Sequence, residues 1–152
     1  MANSTNFKTD IALLVARIGI GGMMLLHGIA KISGGIGGIK EMLVAKGLPE
    51  MLAYGVYVGE IIVPAMLVLG LATRPAALVF IANMVFAIAL AHGGDVFSLG
   101  AQGGWAIELP ALYILGALVI LILGAGKFSV PCPICKLLKN GKCACGDGGS
   151  CN

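Results

Sequence analysis

Charged side chains are scarce in this sequence: Asp, Glu, Lys and Arg make up 11% of its 152 residues, against 59% hydrophobic residues. Soluble domains average about 25% charged residues, so the composition excludes an ordinary water-soluble domain. The net charge is only +3, and the sequence contains no block of consecutive like charges. No nucleic-acid partner is therefore expected. The first partner that the composition predicts is the lipid bilayer.

Cysteine is absent from the apolar part of the chain, which excludes disulfide-to-quinone chemistry inside that part. All five cysteines lie close to the C-terminus, at Cys132, Cys135, Cys143, Cys145 and Cys151. Closely spaced cysteines suit soft metals such as copper or zinc, and a CxxC pair can also be redox-active. Because the spacing is only partial, a disordered tail with incidental thiols stays open as the alternative.

Long apolar segments dominate the rest of the sequence. Each has close to the 20 or so residues that a helix needs to cross a hydrocarbon core, and none has the alternation of a barrel strand. We therefore predict an all-α fold, an integral membrane four-helix bundle with short loops in residues 1–126, followed by a Cys-rich polar tail in residues 127–152. The predicted spans are 11–32, 51–71, 75–92 and 106–124.

The connections and flanking charges predict an orientation. A tight link before Pro75 makes the second and third spans antiparallel neighbours, whereas the glycine-rich stretch 34–38 is expected to be flexible. Lys and Arg are more numerous on the face that holds both termini, so the positive-inside rule places the termini in the cytoplasm. The first span is longer than the apolar core of a signal peptide and contains Arg17, so we expect it to be retained.

Ionisable residues inside the spans are the candidate functional groups. A charge at the centre of a membrane helix costs about 2.5 to 3.5 kcal/mol on insertion scales, so such groups need partners or a water-lined cavity. At about 100° per residue, the basic residues of the first span share one face. Glu60 of the second span would pair with one of them, while His92 and Glu108 flank the outer loop. The candidates are Arg17, His27, Lys31, Glu60, His92 and Glu108.

We expect these residues to gather in a polar pocket at the outer end of the bundle. Imidazole and carboxylate groups can hydrogen-bond a quinone head group and move protons, and the same set could hold a metal. The structural alternative is that Arg17–Glu60 and Lys31–Glu108 are internal ion pairs and that His92 caps a helix. Asn83 is expected on the side opposite His92, where it would join helices.

The chain resembles the DoxX family of small prokaryotic membrane proteins. The resemblance lies in Ala16–Gly21 and Leu26–Lys31 of the first span, in Gly59-Glu60 and the Gly70–Pro75 turn, and in Trp105–Pro110. It implies a four-helix bundle in the prokaryotic cytoplasmic membrane. It also implies association with oxidoreductase systems, including quinone-coupled thiosulfate oxidation, with soluble partners of oxidative-stress complexes, and with metal-linked peptide pathways. The Cys-rich tail departs from the family pattern.

Three hypotheses follow. The first is a redox-linked membrane subunit with a quinone-type pocket, acting with a protein partner; catalysis, as an oxidoreductase subunit, would need that partner or the tail. The second is a non-enzymatic scaffold or metal-handling partner that uses the tail cysteines for copper or zinc. The third is a transporter, which four spans without an inverted repeat would support only as a homo-oligomer.

Overall fold

The computed structural model describes residues 2–94, 96–99 and 103–130, with side chains from Phe7 onward. Helices make up almost all of this part of the chain, and its only strand-like feature is an isolated bridge between Leu99 and Trp105. The predicted all-α class is therefore confirmed. The five helices are α1 (Ala2–Gly34), α2 (Gly37–Ala45), α3 (Glu50–Leu69), α4 (Thr73–Ala91) and α5 (Glu108–Leu123).

Among the described residues, three helices are long and apolar enough to cross a membrane: α1 over Phe7–Gly34, α3 and α4. The fourth apolar helix, α5, has 16 residues and is about 24 Å long at 1.5 Å per residue. It is therefore shorter than the predicted span 106–124. Large apolar side chains such as Leu26, Leu78 and Ile122 point outward from these helices. Exposed apolar surface on every helix is what a membrane protein presents to acyl chains, and it supports the predicted membrane bundle.

Small residues allow α1 to lie close against α3. A Cβ added at Gly21 would stand 2.9 Å from the Pro64 carbonyl oxygen, and one added at Gly28 would stand 2.5 Å from the Glu60 carbonyl oxygen. The α4 and α5 helices pack against each other along the other side of the bundle. Between the two pairs lies an apolar core that includes Met24, Val63, Leu67, Phe80, Met84, Ala117 and Ile120.

The α3–α4 link is as short as the sequence predicts. Gly70 and Ala72 both adopt left-handed backbone conformations, with φ of 77° and 43°. Gly70 is also constrained by space, because a Cβ there would stand 2.8 Å from Nη2 of Arg17. The turn therefore reverses the chain within a few residues and makes α3 and α4 antiparallel neighbours.

The segment between α1 and α3 differs from the flexible connection that we expected. The α1 helix continues to Gly34, Gly35 breaks it with a φ of 81°, and α2 follows at once. Ile36, Ile39 and Leu43 recur at helical spacing, and this apolar face packs against Ala53 and the residues around it. The glycine content was a poor guide here, because the isoleucines and leucine supply enough apolar area to dock the helix.

Candidate functional site

An ion pair between Lys31 of α1 and Glu60 of α3 is the central polar feature of the bundle. The Lys31 ammonium donates a hydrogen bond to Oε1 of Glu60. The Glu60 side chain is 7% exposed, whereas that of Lys31 is 33% exposed. The sequence offered two basic partners for Glu60, Arg17 and Lys31, and in the structure the partner is Lys31.

The backbone around Glu60 departs from the regular α-helix. Residues Val58–Ile62 form a π-helical segment in which the Val63 amide donates to the Val58 carbonyl, five residues earlier. Pro64 has no N–H, so the Glu60 carbonyl has no donor at the usual position four residues later. That carbonyl instead faces Gly28 of α1. Short π segments in α-helices are frequent at functional sites.

Three buried polar atoms near this segment have no hydrogen-bond partner among the described residues: Oε2 of Glu60, Oη of Tyr113 and Nδ2 of Asn83. The Tyr113 side chain belongs to the buried core that α3 lines just after Glu60. Asn83 packs against Gly59, where an added Cβ would overlap the amide oxygen of Asn83. We call Lys31, Glu60, Asn83 and Tyr113 the Glu60 cluster.

Two members of the Glu60 cluster were not candidates from the sequence. Asn83 was expected to join helices away from any site, but the structure places it beside the residue that precedes Glu60. Tyr113 was overlooked, although a tyrosine within an apolar span carries a hydroxyl that needs a partner when buried. Its ring makes an edge-to-face contact with Phe80 at 6.0 Å between centroids, which fixes the phenol in the bundle interior.

A cavity of about 280 Å³ lies between α1 and α5 and reaches Tyr113. Most of its wall is apolar, and several lining residues, including Gly19, Met23 and Leu112, are also exposed on the outside of the bundle. The cavity is therefore a groove that opens sideways, toward the acyl chains of a surrounding bilayer. Its full lining is Ala16, Gly19, Ile20, Met23, Leu109, Leu112 and Tyr113.

Arg17 does not join the Glu60 cluster. Its side chain is 1% exposed and lies about 21 Å from Lys31 along α1, at 1.5 Å per residue. Nε donates to the Leu67 carbonyl at 3.0 Å and Nη2 to the Phe128 carbonyl at 2.7 Å. Further bonds reach the carbonyls of Val68 and Ala125. Arg17 thus fastens the segment after α5 to the end of α3, and the proposed Arg17–Glu60 pair is wrong.

The remaining predicted site residues lie outside the Glu60 cluster. His27 is exposed, and its Nδ1 lies 3.3 Å from the Met23 carbonyl of its own helix. His92 ends α4, where its backbone amide donates to the Ile88 carbonyl. Glu108 is exposed at the start of α5. Within the ranges that the structure describes, no hydrogen bond or ion pair connects these three residues to Glu60, and of the predicted set only Lys31 pairs with it.

The metal hypotheses have no support in the described part of the chain, since it contains no group of three or more His, Cys, Asp or Glu side chains that could hold an ion. The predicted tail ligands Cys132, Cys135, Cys143, Cys145 and Cys151 lie outside the described residues. Their role in binding copper or zinc stays a prediction. Contacts with the bundle continue through Val130, whose amide donates to the Leu69 carbonyl at 3.1 Å.

These features define a multi-pass helical membrane protein with a buried ion pair and a lateral apolar groove. The family model for DoxX matches residues 12–93. An uncharacterized protein of Haemophilus influenzae is 36% identical over 124 residues, which cover 75% of this chain and 84% of the relative. The chain therefore belongs to the DoxX family, as its sequence motifs indicate. No solved structure matches it.

Proposed function

We propose that this protein is a membrane subunit that binds the head group of a lipid-soluble quinone at the Glu60 cluster. The observation that carries the proposal is the set of three unpartnered polar atoms, on Glu60, Asn83 and Tyr113, buried within an apolar bundle. A buried polar group without a partner costs about 1 to 3 kcal/mol. Such a set is therefore more readily explained as the lining of a ligand site than as packing.

The chemistry of the cluster suits a quinone-type ring. The ring carries one oxygen at each end, and the phenol of Tyr113 and the amide of Asn83 are donors that could reach such oxygens. The groove between α1 and α5 offers apolar walls for an isoprenoid chain, and it opens toward the bilayer from which the ligand would enter. The proposal thus keeps the quinone but moves its site from the outer-end residues to the middle of the bundle.

The proposal includes a partner protein. Interconversion of a quinone and its quinol moves two electrons and two protons. The carboxylate of Glu60 and the phenol of Tyr113 can exchange protons, whereas the electrons would pass to or from a redox-active partner protein. The chain would act in the cytoplasmic membrane of a prokaryote, with both termini in the cytoplasm, as the Lys and Arg distribution favours.

The test is a titration of the purified protein in nanodiscs with decylubiquinone, both oxidised and reduced. Loss of one polar contact weakens binding by about 1.4 kcal/mol, or roughly tenfold. We expect that loss for Tyr113→Phe in at least one redox form. Tyr57→Phe is the matched control, because Tyr57 is half-buried in the separate cluster around α2. Failure of both redox forms to bind, or equal affinity of Tyr113→Phe and wild type for both, would overturn the proposal.

A further inference from the structure

The two carboxylate oxygens of Glu60 have different surroundings. Oε1 accepts the hydrogen bond of the Lys31 ammonium, whereas Oε2 is buried and has no partner among the residues that the structure describes. A carboxylate that pairs with an ammonium carries no proton of its own and can only accept hydrogen bonds. Oε2 of Glu60 therefore lacks a hydrogen-bond donor, which a ligand could supply.

We infer that the Glu60 cluster binds the reduced quinol in preference to the oxidised quinone. This inference rests on the proposed function and adds which redox form the site selects. It follows from the pairing of one buried acceptor, Oε2 of Glu60, with a ligand that has hydroxyl donors in only one of its two forms. The other two free atoms of the cluster can both donate: the amide nitrogen of Asn83, and the phenol oxygen of Tyr113, which can also accept.

Counting donors and acceptors separates the two forms. A quinol has two hydroxyl groups, each of which donates one hydrogen bond and can also accept. One hydroxyl can donate to Oε2 of Glu60, while the oxygens accept from Tyr113 and Asn83, so each free atom of the cluster has a possible partner. A quinone has acceptors only. It can serve the two donors, but it leaves Oε2 unpaired.

The oxidised form meets a second penalty at the same atom. A quinone carbonyl oxygen near Oε2 would bring two electron-rich oxygens together in an apolar interior, where electrostatic repulsion is poorly screened. Leaving one buried charged acceptor unpaired is enough to change affinity by about tenfold or more. For a two-electron couple, a tenfold preference for the reduced form raises the midpoint potential of the bound ligand by about 30 mV.

The experiment compares decylubiquinol and decylubiquinone with full-length protein in nanodiscs, under anaerobic conditions. We expect the quinol to bind at least tenfold more tightly. The dimethyl ether of the same quinol has the ring and chain but no hydroxyl donors, so it should bind as weakly as the quinone. In Glu60→Gln the side-chain amide can donate as well as accept, so the preference for quinol should fall to less than about threefold.

The wild-type comparison needs no variant, so it decides the inference even if Glu60→Gln does not fold. Equal or tighter binding of the quinone would overturn the inference and leave the proposed function standing. Absence of binding by either form would overturn both. Retention of the full preference in folded Glu60→Gln would show that another group selects the quinol. The control is Glu108→Gln, which changes an exposed carboxylate outside the cluster and should leave the preference unchanged.

Discussion

Gly28 lies against the backbone carbonyl of Glu60, so that a Cβ at Gly28 would stand 2.5 Å from that oxygen. This contact joins α1 to the π-helical segment of α3 at the level of the ion pair. The absence of a donor from Pro64 leaves the carbonyl oriented toward α1, and the glycine leaves room for it. The local backbone thus positions the Glu60 side chain before any ligand is considered.

Gly28→Ala should destabilise the protein, because the added methyl group must displace backbone atoms. We expect a loss of about 1 to 3 kcal/mol in the free energy of unfolding, as for overpacked cores. Gly22→Ala is the matched control, since a Cβ there meets nothing within 4 Å. Alanine favours helix by up to about 1 kcal/mol over glycine, so the control should be neutral or stabilised. Unfolding by SDS titration in mixed micelles measures both, and equal stability of the two variants would contradict the contact.

The bundle was largely predictable from the sequence, because lengths and hydropathy of membrane spans reflect the bilayer directly. The pairing of Glu60 was only half predictable. Both Arg17 and Lys31 lie on the same face of α1, and the choice between them depends on helix offset, which the sequence does not encode locally. Arg17 instead donates hydrogen bonds to backbone carbonyls at the end of α3 and just after α5. Every residue has such a carbonyl, so the residue pattern does not reveal which ones Arg17 will contact.

The placement of Asn83 and Tyr113 illustrates a second limit. Neither residue has a motif, and their proximity to Glu60 arises from packing between α3, α4 and α5. His27 illustrates an error of a different kind. Ionisable groups within a span are expected to face the bundle interior. His27 is instead exposed on the side of α1, where a ring nitrogen can hydrogen-bond to the backbone of its own helix. A local hydrogen bond removed the need for an interior partner.

The Lys31–Glu60 pair should show energetic coupling. Lys31→Met leaves the 7% exposed carboxylate without its cation, at a cost of about 2 kcal/mol, below the 3 to 5 kcal/mol of fully buried pairs because Lys31 is partly exposed. Adding Glu60→Gln should recover part of that loss, giving a coupling of about 1 to 2 kcal/mol in a double-mutant cycle of unfolding free energies. The control cycle pairs Lys31→Met with Glu108→Gln, and it should be additive. Additive effects in the Lys31–Glu60 cycle would contradict the assignment of this ion pair.

Arg17→Lys should loosen the segment after α5. The guanidinium serves carbonyls of two separate segments, including Leu67 and Phe128, and a lysine ammonium cannot reproduce that planar set of donors. We expect the free energy of unfolding to fall by about 2 to 4 kcal/mol, since one or two buried carbonyls lose their donor. Hydrogen exchange should accelerate at the amide of Val130, which bonds to the Leu69 carbonyl. Lys8→Ala, at an exposed position of the same helix, is the control and should leave this exchange unchanged.

The orientation of the bundle can be tested because the apolar part of the chain has no cysteine. We expect the tail cysteines to react with a membrane-impermeant maleimide only after the cytoplasmic membrane is permeabilised. In a background with all five cysteines changed to serine, a cysteine at Phe97 should react without permeabilisation, since this side chain is 98% exposed in the α4–α5 loop. A second cysteine position, at Lys8 near the start of α1, serves as the internal control and should match the tail. If Lys8→Cys and the tail were labelled from outside while Phe97→Cys was protected, the orientation would be the opposite of the one that the positive-inside rule favours.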